Sequence, residues 1–197
     1  MRLILLCFFV SGLATAQQPD TLCLSPVELE LYTALMQYRA QHRLPPVSLS
    51  HWLTKTARLH ARDVVEERVI KGRCNAHSWS PAGPWTPCCY TDNHKAARCM
   101  WDKPREISHG VYAGTGFEIA FTYGTDLAAT EIADASLALK GWQQSPGHNS
   151  VILNLGSWKQ SGWKAIGIGI YRGYACVWFS TEADPLGVDN CPTPYPD

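Results

Sequence analysis

The sequence has no surplus of either charge: 17 Lys and Arg stand against 17 Asp and Glu. A balanced chain lacks the electrostatic footprint that draws proteins to nucleic acid or acidic membranes. It has no glycine-rich phosphate loop and no G-x-G-x-x-G turn, so nothing implies a nucleotide cofactor. It has neither a G-x-S-x-G elbow nor an H-E-x-x-H helix, which removes two familiar hydrolase signatures. No Asn-X-Ser/Thr acceptor occurs, so N-glycosylation is not expected. No apolar run approaches the roughly 20 residues of a spanning helix. Charged residues make up only 17% and aromatics reach 11%, a balance that excludes global disorder. A chain of 197 residues, 46% of them hydrophobic, suits one compact domain with decorated ends.

What is present begins with Met1-Arg2, an apolar run from Leu3 to Val10, and Ala14-Thr15-Ala16. A positive start, a short apolar core and an A-x-A site read as a secretory signal peptide over residues 1–16. Export, to the extracellular space or a periplasm, makes disulfides permissible. Without residues 1–16, which hold Arg2 and Cys7, seven cysteines remain. Seven is odd, so at least one thiol is free, metal-bound or intermolecular. Cys74, Cys88, Cys89 and Cys99 cluster and predict a stapled loop over about 74–110. The rival, a metal knuckle, lacks a C-x-x-C pair. Adjacent Cys88 and Cys89 are expected to take different partners.

Ser25-Pro26-Val27-Glu28 is a capping box with proline at the first helical position. A second helix is predicted from Ser48 or Ser50 to about Val69, with Leu53, Ala57, His60, Ala61 and Val64 on one stripe. A third is predicted from about Thr125 to Trp142, and a short turn of helix at Ser145-Pro146. Strands are predicted over Gly116–Tyr123, Lys164–Tyr171 and Tyr174–Ser180, the last two joined by a tight turn at Arg172-Gly173. This order suits an α+β fold with an antiparallel sheet covered by helices. Ser80 to Val111 shows no period, and so long an irregular segment is functional or cross-linked. Pro185 to Asp197 reads as an extended, proline-rich tail.

Three residues stand out chemically. His77 and His148 lie at helix boundaries, and Glu118 lies between apolar neighbours in a strand. Burying that carboxylate unpaired costs several kcal/mol, so it must find a donor, a cation or a metal. Two imidazoles and a carboxylate suit a Zn²⁺ site or a proton-transfer pair, though spacing alone does not bring the three together. His60, on the apolar helix stripe, reads as a satisfied core or cleft-floor residue. His42, His51, His94 and His109 read as surface or loop residues.

Several segments resemble the CAP superfamily: cysteine-rich secretory proteins, antigen 5 and pathogenesis-related 1, also called the sperm-coating-protein domain. They are Tyr38-Arg39-Ala40, Leu44-Pro45-Pro46-Val47, Ala57 to Asp63, Ala76-His77-Ser78-Trp79, Gly116 to Ala120, Gly141 to Asn154, and Ala165 to Gly169. The most specific is Trp142-Gln143-Gln144-Ser145-Pro146-Gly147-His148 with Ile152-Leu153-Asn154, which looks most like bacterial-type members. The resemblance implies a three-layer α-β-α sandwich with a central antiparallel sheet and a central cleft. It implies that His77 and His148 take the family's two histidine positions and Glu118 its first acidic one. It further implies Zn²⁺ or another divalent cation as a cleft ligand. The animal members' second acid follows the tryptophan by three residues, and here that position is Ser145. A metal here would therefore lean on two imidazoles, water and Glu118.

The domain division read from this is a signal peptide at 1–16, a CAP-like domain at 17–184 and a tail at 185–197. The function implied is extracellular binding of a lipid, sterol or protein, without nucleic acid and without a membrane span. The alternative is a hydrolase, metal-assisted or built on Ser78, His77 and Glu118. Trp79, Trp85, Tyr90 and Trp101 form either an apolar binding face or packing around disulfides.

Overall fold

The computed structural model describes residues 22–132 and 134–186. The signal peptide expected at 1–16 lies outside them, as does most of the expected tail. Helix α1, Pro26–Gln41, starts on the capping box: Ser25 Oγ accepts from Glu28 N–H, and the Glu28 carboxylate accepts from Ser25 N–H at 2.8 Å. Strand β1 is Ser48–Leu49 and helix α2 is His51–Glu66. Ser50 caps α2 by accepting from Leu53 N–H at 3.0 Å. Two short helices follow in the cysteine-rich loop, α3 (Ala97–Trp101) and α4 (Lys103–Ile107). Then come β2 (Phe117–Thr122), α5 (Ser136–Gln144), α6 (Pro146–Ile152), a 3₁₀ turn (Gly156–Trp158), β3 (Ala165–Tyr171) and β4 (Tyr174–Ser180).

The sheet has four strands in the order β1-β3-β4-β2. The pairs β3–β4 and β4–β2 are antiparallel, but β1 runs parallel to β3. The sheet is therefore mixed rather than purely antiparallel, because β1 is too short to announce itself by alternation. Helices cover both faces, which gives the α-β-α layering. Ile119, Ile166, Ile168, Val177 and Phe179 face one core with Leu31 and Leu35 of α1 and Trp142 of α5. Their alternates Tyr174, Cys176 and Trp178 face the other with Leu53, Ala57 and Ala61 of α2.

The predicted helix over 125–142 is half right. Residues 125–132, 134 and 135 lie outside any helix, and the helix formed is α5. Local bonds compete with helix there: Asp126 Oδ1 accepts from Ala128 N–H at 3.1 Å, and its carbonyl accepts from Thr130 Oγ1 at 2.7 Å. The segment is also tied to the β3–β4 turn, with Ile132 N–H donating to Arg172 O and Gly173 N–H to Leu127 O.

The loop is stapled as expected. Cys74 pairs with Cys89 and Cys88 with Cys99, so the neighbouring cysteines do take different partners, and these bonds displace the metal-knuckle reading. Cys23 is disulfide-bonded as well, and Cys176 is the free, buried thiol among the described residues. Replacing Cys74 and Cys89 together by serine should cost about 2 kcal/mol in urea unfolding, with a somewhat larger m-value, since the bond closes a loop in the unfolded chain. A midpoint equal to wild type would show that packing alone holds the loop. Among the described residues, no helix is long and apolar enough to cross a membrane.

Candidate functional site

Strand alternation sends Glu118 to the α2 side of the sheet, opposite Trp178 of β4. The carboxylate is buried, and the structure supplies it with partners. Its Oε1 lies 2.6 Å from His60 Nδ1 and accepts from Tyr174 Oη at 3.2 Å, while Oε2 lies 2.7 Å from His77 Nδ1. His60 Nε2 lies 3.1 Å from Ser78 O. Both nitrogens of the His60 ring thus face oxygens, the Glu118 carboxylate and the Ser78 carbonyl. Burial alone would raise the Glu118 pKa. The His60 charge and the hydrogen bonds from His60 and His77 outweigh it and hold the carboxyl at about 2. Burial first, and then the Glu118 charge, raise the Tyr174 hydroxyl and the Cys176 thiol well above their usual range.

His77 is held by the stapled loop. Trp79 and Cys88 exchange backbone hydrogen bonds, Asn75 N–H donates to Tyr90 O, and the Cys74–Cys89 disulfide closes the pair. Tyr90 packs edge-on against the His77 ring at 5.3 Å. His148 sits in the first turn of α6, which Pro146 opens. His77, Glu118 and His148 line one cleft of about 690 Å³, as do Ser145, Trp101, Phe117 and Trp158. Among the described residues, His148 makes no hydrogen bond from either ring nitrogen, and His77 makes none from Nε2. Burial first, and then the neighbouring His77, lower the His148 pKa against the opposing pull of Glu118.

The sequence singled out His77, His148 and Glu118 and left other participants unassigned. His60 is fully buried, stacked on Trp79 at 4.1 Å between ring centroids, and forms the inner half of the Glu118 clamp. Its place on the α2 stripe hinted at this, but its partner is distant in sequence. His94, read as a surface or loop residue, is an exposed loop residue that also lines the cleft, its Nδ1 3.2 Å from Tyr90 Oη. His51, read the same way, is buried at the start of α2. Of the loop aromatics, Trp79 belongs to the core, while Tyr90 and Trp101 line the cleft. Ser78 does not suit a nucleophile. It is buried, and its Oγ accepts from Tyr90 N–H at 2.9 Å and donates to Tyr90 O at 3.3 Å.

Two sets of donors could meet a cation. His60, Glu118 and Cys176 offer atoms within 4.8 Å of one another, all buried. Cys176 Sγ there lies 3.4 Å from Ala57 O, and its raised pKa keeps it a thiol, whereas a metal takes the thiolate. In the cleft, His77 and His148 offer imidazole nitrogens, with Glu118 behind His77 in the manner of a carboxylate that orients a metal-binding histidine. Both Glu118 oxygens are already engaged, so the protein offers two ready ligands and leaves other positions to water or ligand.

No curated protein sequence matches the chain. Among solved structures, the fold is similar to an extracellular SCP-domain protein from Bacillus anthracis str. Ames, with TM-score 0.53 and 17% identity, covering 81% of this chain and 45% of that one. It is similar to an outer surface protein from Borrelia burgdorferi, with TM-score 0.51 and 15% identity, covering 82% of this chain and 96% of that one. A cysteine-rich secretory protein from Staphylococcus aureus subsp. aureus Mu50 matches with TM-score 0.47 and 15% identity, covering 79% of this chain. The chain spans 38% of that staphylococcal protein and less than half of the Bacillus one. The sequence profile of the cysteine-rich secretory protein family, CAP, matches residues 32–178. That span contains both histidines, the glutamate and nearly all of the sheet, and the chain therefore belongs to the CAP family.

Proposed function

We propose that this chain is an extracellular binding protein whose ligand seats in the His77–His148 cleft, with a divalent cation such as Zn²⁺ able to occupy the two imidazoles. The observation that carries the reading is His148. Its half-buried imidazole lines the cleft beside His77 and has no hydrogen-bond partner among the described residues. A polar group removed from water without a partner costs about 1–3 kcal/mol, and a ligand group or an ion would recover that. The disulfides of the loop support an oxidising compartment, in keeping with a secreted or periplasmic protein.

In this reading His77 and His148 hold the ion, and Glu118 keeps His77 in the tautomer whose Nε2 is free to bind. A bound ion would supply a positive centre for an electron-rich ligand group. Among lipid, sterol and protein ligands the reading makes no choice, and the cleft chemistry is taken further below.

Calorimetric titration with Zn²⁺ near pH 7 tests the cation. Wild type should take up about one ion per chain, and the His77→Ala/His148→Ala double variant none. Uptake that survives the double variant would place the ion elsewhere. Absence of saturable uptake by wild type would leave the cleft as a purely organic binding site.

A further inference from the structure

We infer that the ligand of this cleft is a neutral glycan, with a sugar ring packed on the Trp101–Phe117–Trp158 wall and its hydroxyls paired to the free polar groups of the lining. The inference rests on the reading of the cleft as the ligand site and adds the chemical class. Trp101 is 39% exposed although it lines a cleft. Its ring lies 6.0 Å from Phe117, Phe117 lies 5.2 Å from Trp158, and Trp158 is backed by Trp163 at 5.6 Å. The wall is thus fixed by ring-on-ring packing before any ligand arrives, which cuts the ordering cost of binding. Sugar rings carry C–H faces that pack on such surfaces while their edges stay polar.

The polar lining is of the matching kind. Besides His148 and His77 Nε2, the hydroxyls of Ser145 and Ser157 line the cleft and have no partner among the described residues. Hydroxyls both donate and accept, and imidazole nitrogens can do either, as a ring of vicinal hydroxyls requires. Charge narrows the class further. No Lys, Arg or Asp lines the cleft, and its one carboxylate is already held by His60 and His77. A phosphate or carboxylate headgroup finds no Lys or Arg there, and an amine finds no free anion. A sterol, with a single hydroxyl, would satisfy one of these groups and leave the others without a ligand partner.

The test applies the labelled full chain to an array of neutral oligosaccharides, covering chitin, β-glucan, mannan and galactan fragments, with EDTA and again with Zn²⁺. The best binder is then titrated calorimetrically. At least one should bind saturably. Trp101→Ala should weaken it at least tenfold and Trp101→Phe by less, with thermal melts showing both variants folded. Oleate and cholesterol should not compete. If no neutral oligosaccharide binds, or if Trp101→Ala leaves affinity unchanged, the assignment is wrong. Binding of oleate or cholesterol that is lost in His148→Ala, with no glycan bound, would overturn the glycan and keep the cleft as the ligand site. Binding of none of these would take down both readings.

Discussion

Gly167→Ala is expected to cost about 3 kcal/mol or more and to lower Tm by roughly 6–12 °C. The reason lies in how α2 rests on the sheet. A Cβ on Gly167 would stand 2.1 Å from Leu53 C and 2.3 Å from Thr54 N, and one on Gly169 would stand 2.3 Å from Ala57 C. These are backbone atoms of one helix, so no rotamer change relieves the clash. Relief requires α2 to lift from β3. Because α2 also carries His60, the same shift would pull the imidazole from Glu118, 2.6 Å away, and couple the packing defect to the site. Gly147→Ala is the control. Its Cβ would meet open space in α6, so its melt should stay within about 1 kcal/mol of wild type, where helix propensity alone acts. If Gly167→Ala melted like Gly147→Ala, the close seating of α2 on β3 would be refuted.

The same glycines mark how far the sequence could be read. Ile166, Ile168 and Ile170 alternate with Gly167 and Gly169, and the alternation correctly predicts a strand with one apolar face. That the other face is left bare for a helix backbone is a tertiary fact, and a glycine within a strand only hints at it. Ser25 and Ser50 announced their helices because capping is chemistry within four residues. Tyr174–Ser180 was legible to the residue because both its faces are buried and its turn is short. Leu127, Ile132 and Ala135 carried a helical period that lost to hydrogen bonds from the β3–β4 turn. In the site, motifs singled out His77, Glu118 and His148, while Trp158 and His94 belong to no motif and enter only because the chain returns there. The burden of Glu118 was legible too: a carboxylate between Phe117 and Ile119 demanded a partner. Which partner was not legible, since His60 lies 58 residues away on another element.

That burden makes Glu118→Gln the most damaging conservative change expected in the site. The side chain keeps its size and loses its charge. The amide oxygen can still accept from one imidazole, but the amide nitrogen can pair with the other ring only where that ring offers an unprotonated nitrogen. His60 is fully buried, and against an amide its contact changes from a charge-assisted bond to a neutral one. Breaking a buried pair from one side costs about 3–5 kcal/mol, and that is the loss expected in urea unfolding at neutral pH. Acid should produce the same loss in the wild type. The carboxyl titrates at about 2 in the folded protein against an ordinary 4.5. A depressed folded pKa means that the unfolded chain binds the proton first as pH falls. The contribution is therefore full above about 4.5 and drains away between there and about 2, by about 3 kcal/mol in all. Glu118→Gln has no such proton to bind, so its stability should run flatter over that window and converge on wild type at the acid end. Parallel curves for the two proteins from pH 6 to pH 2 would mean that Glu118 is not the charge that His60 and His77 are built around.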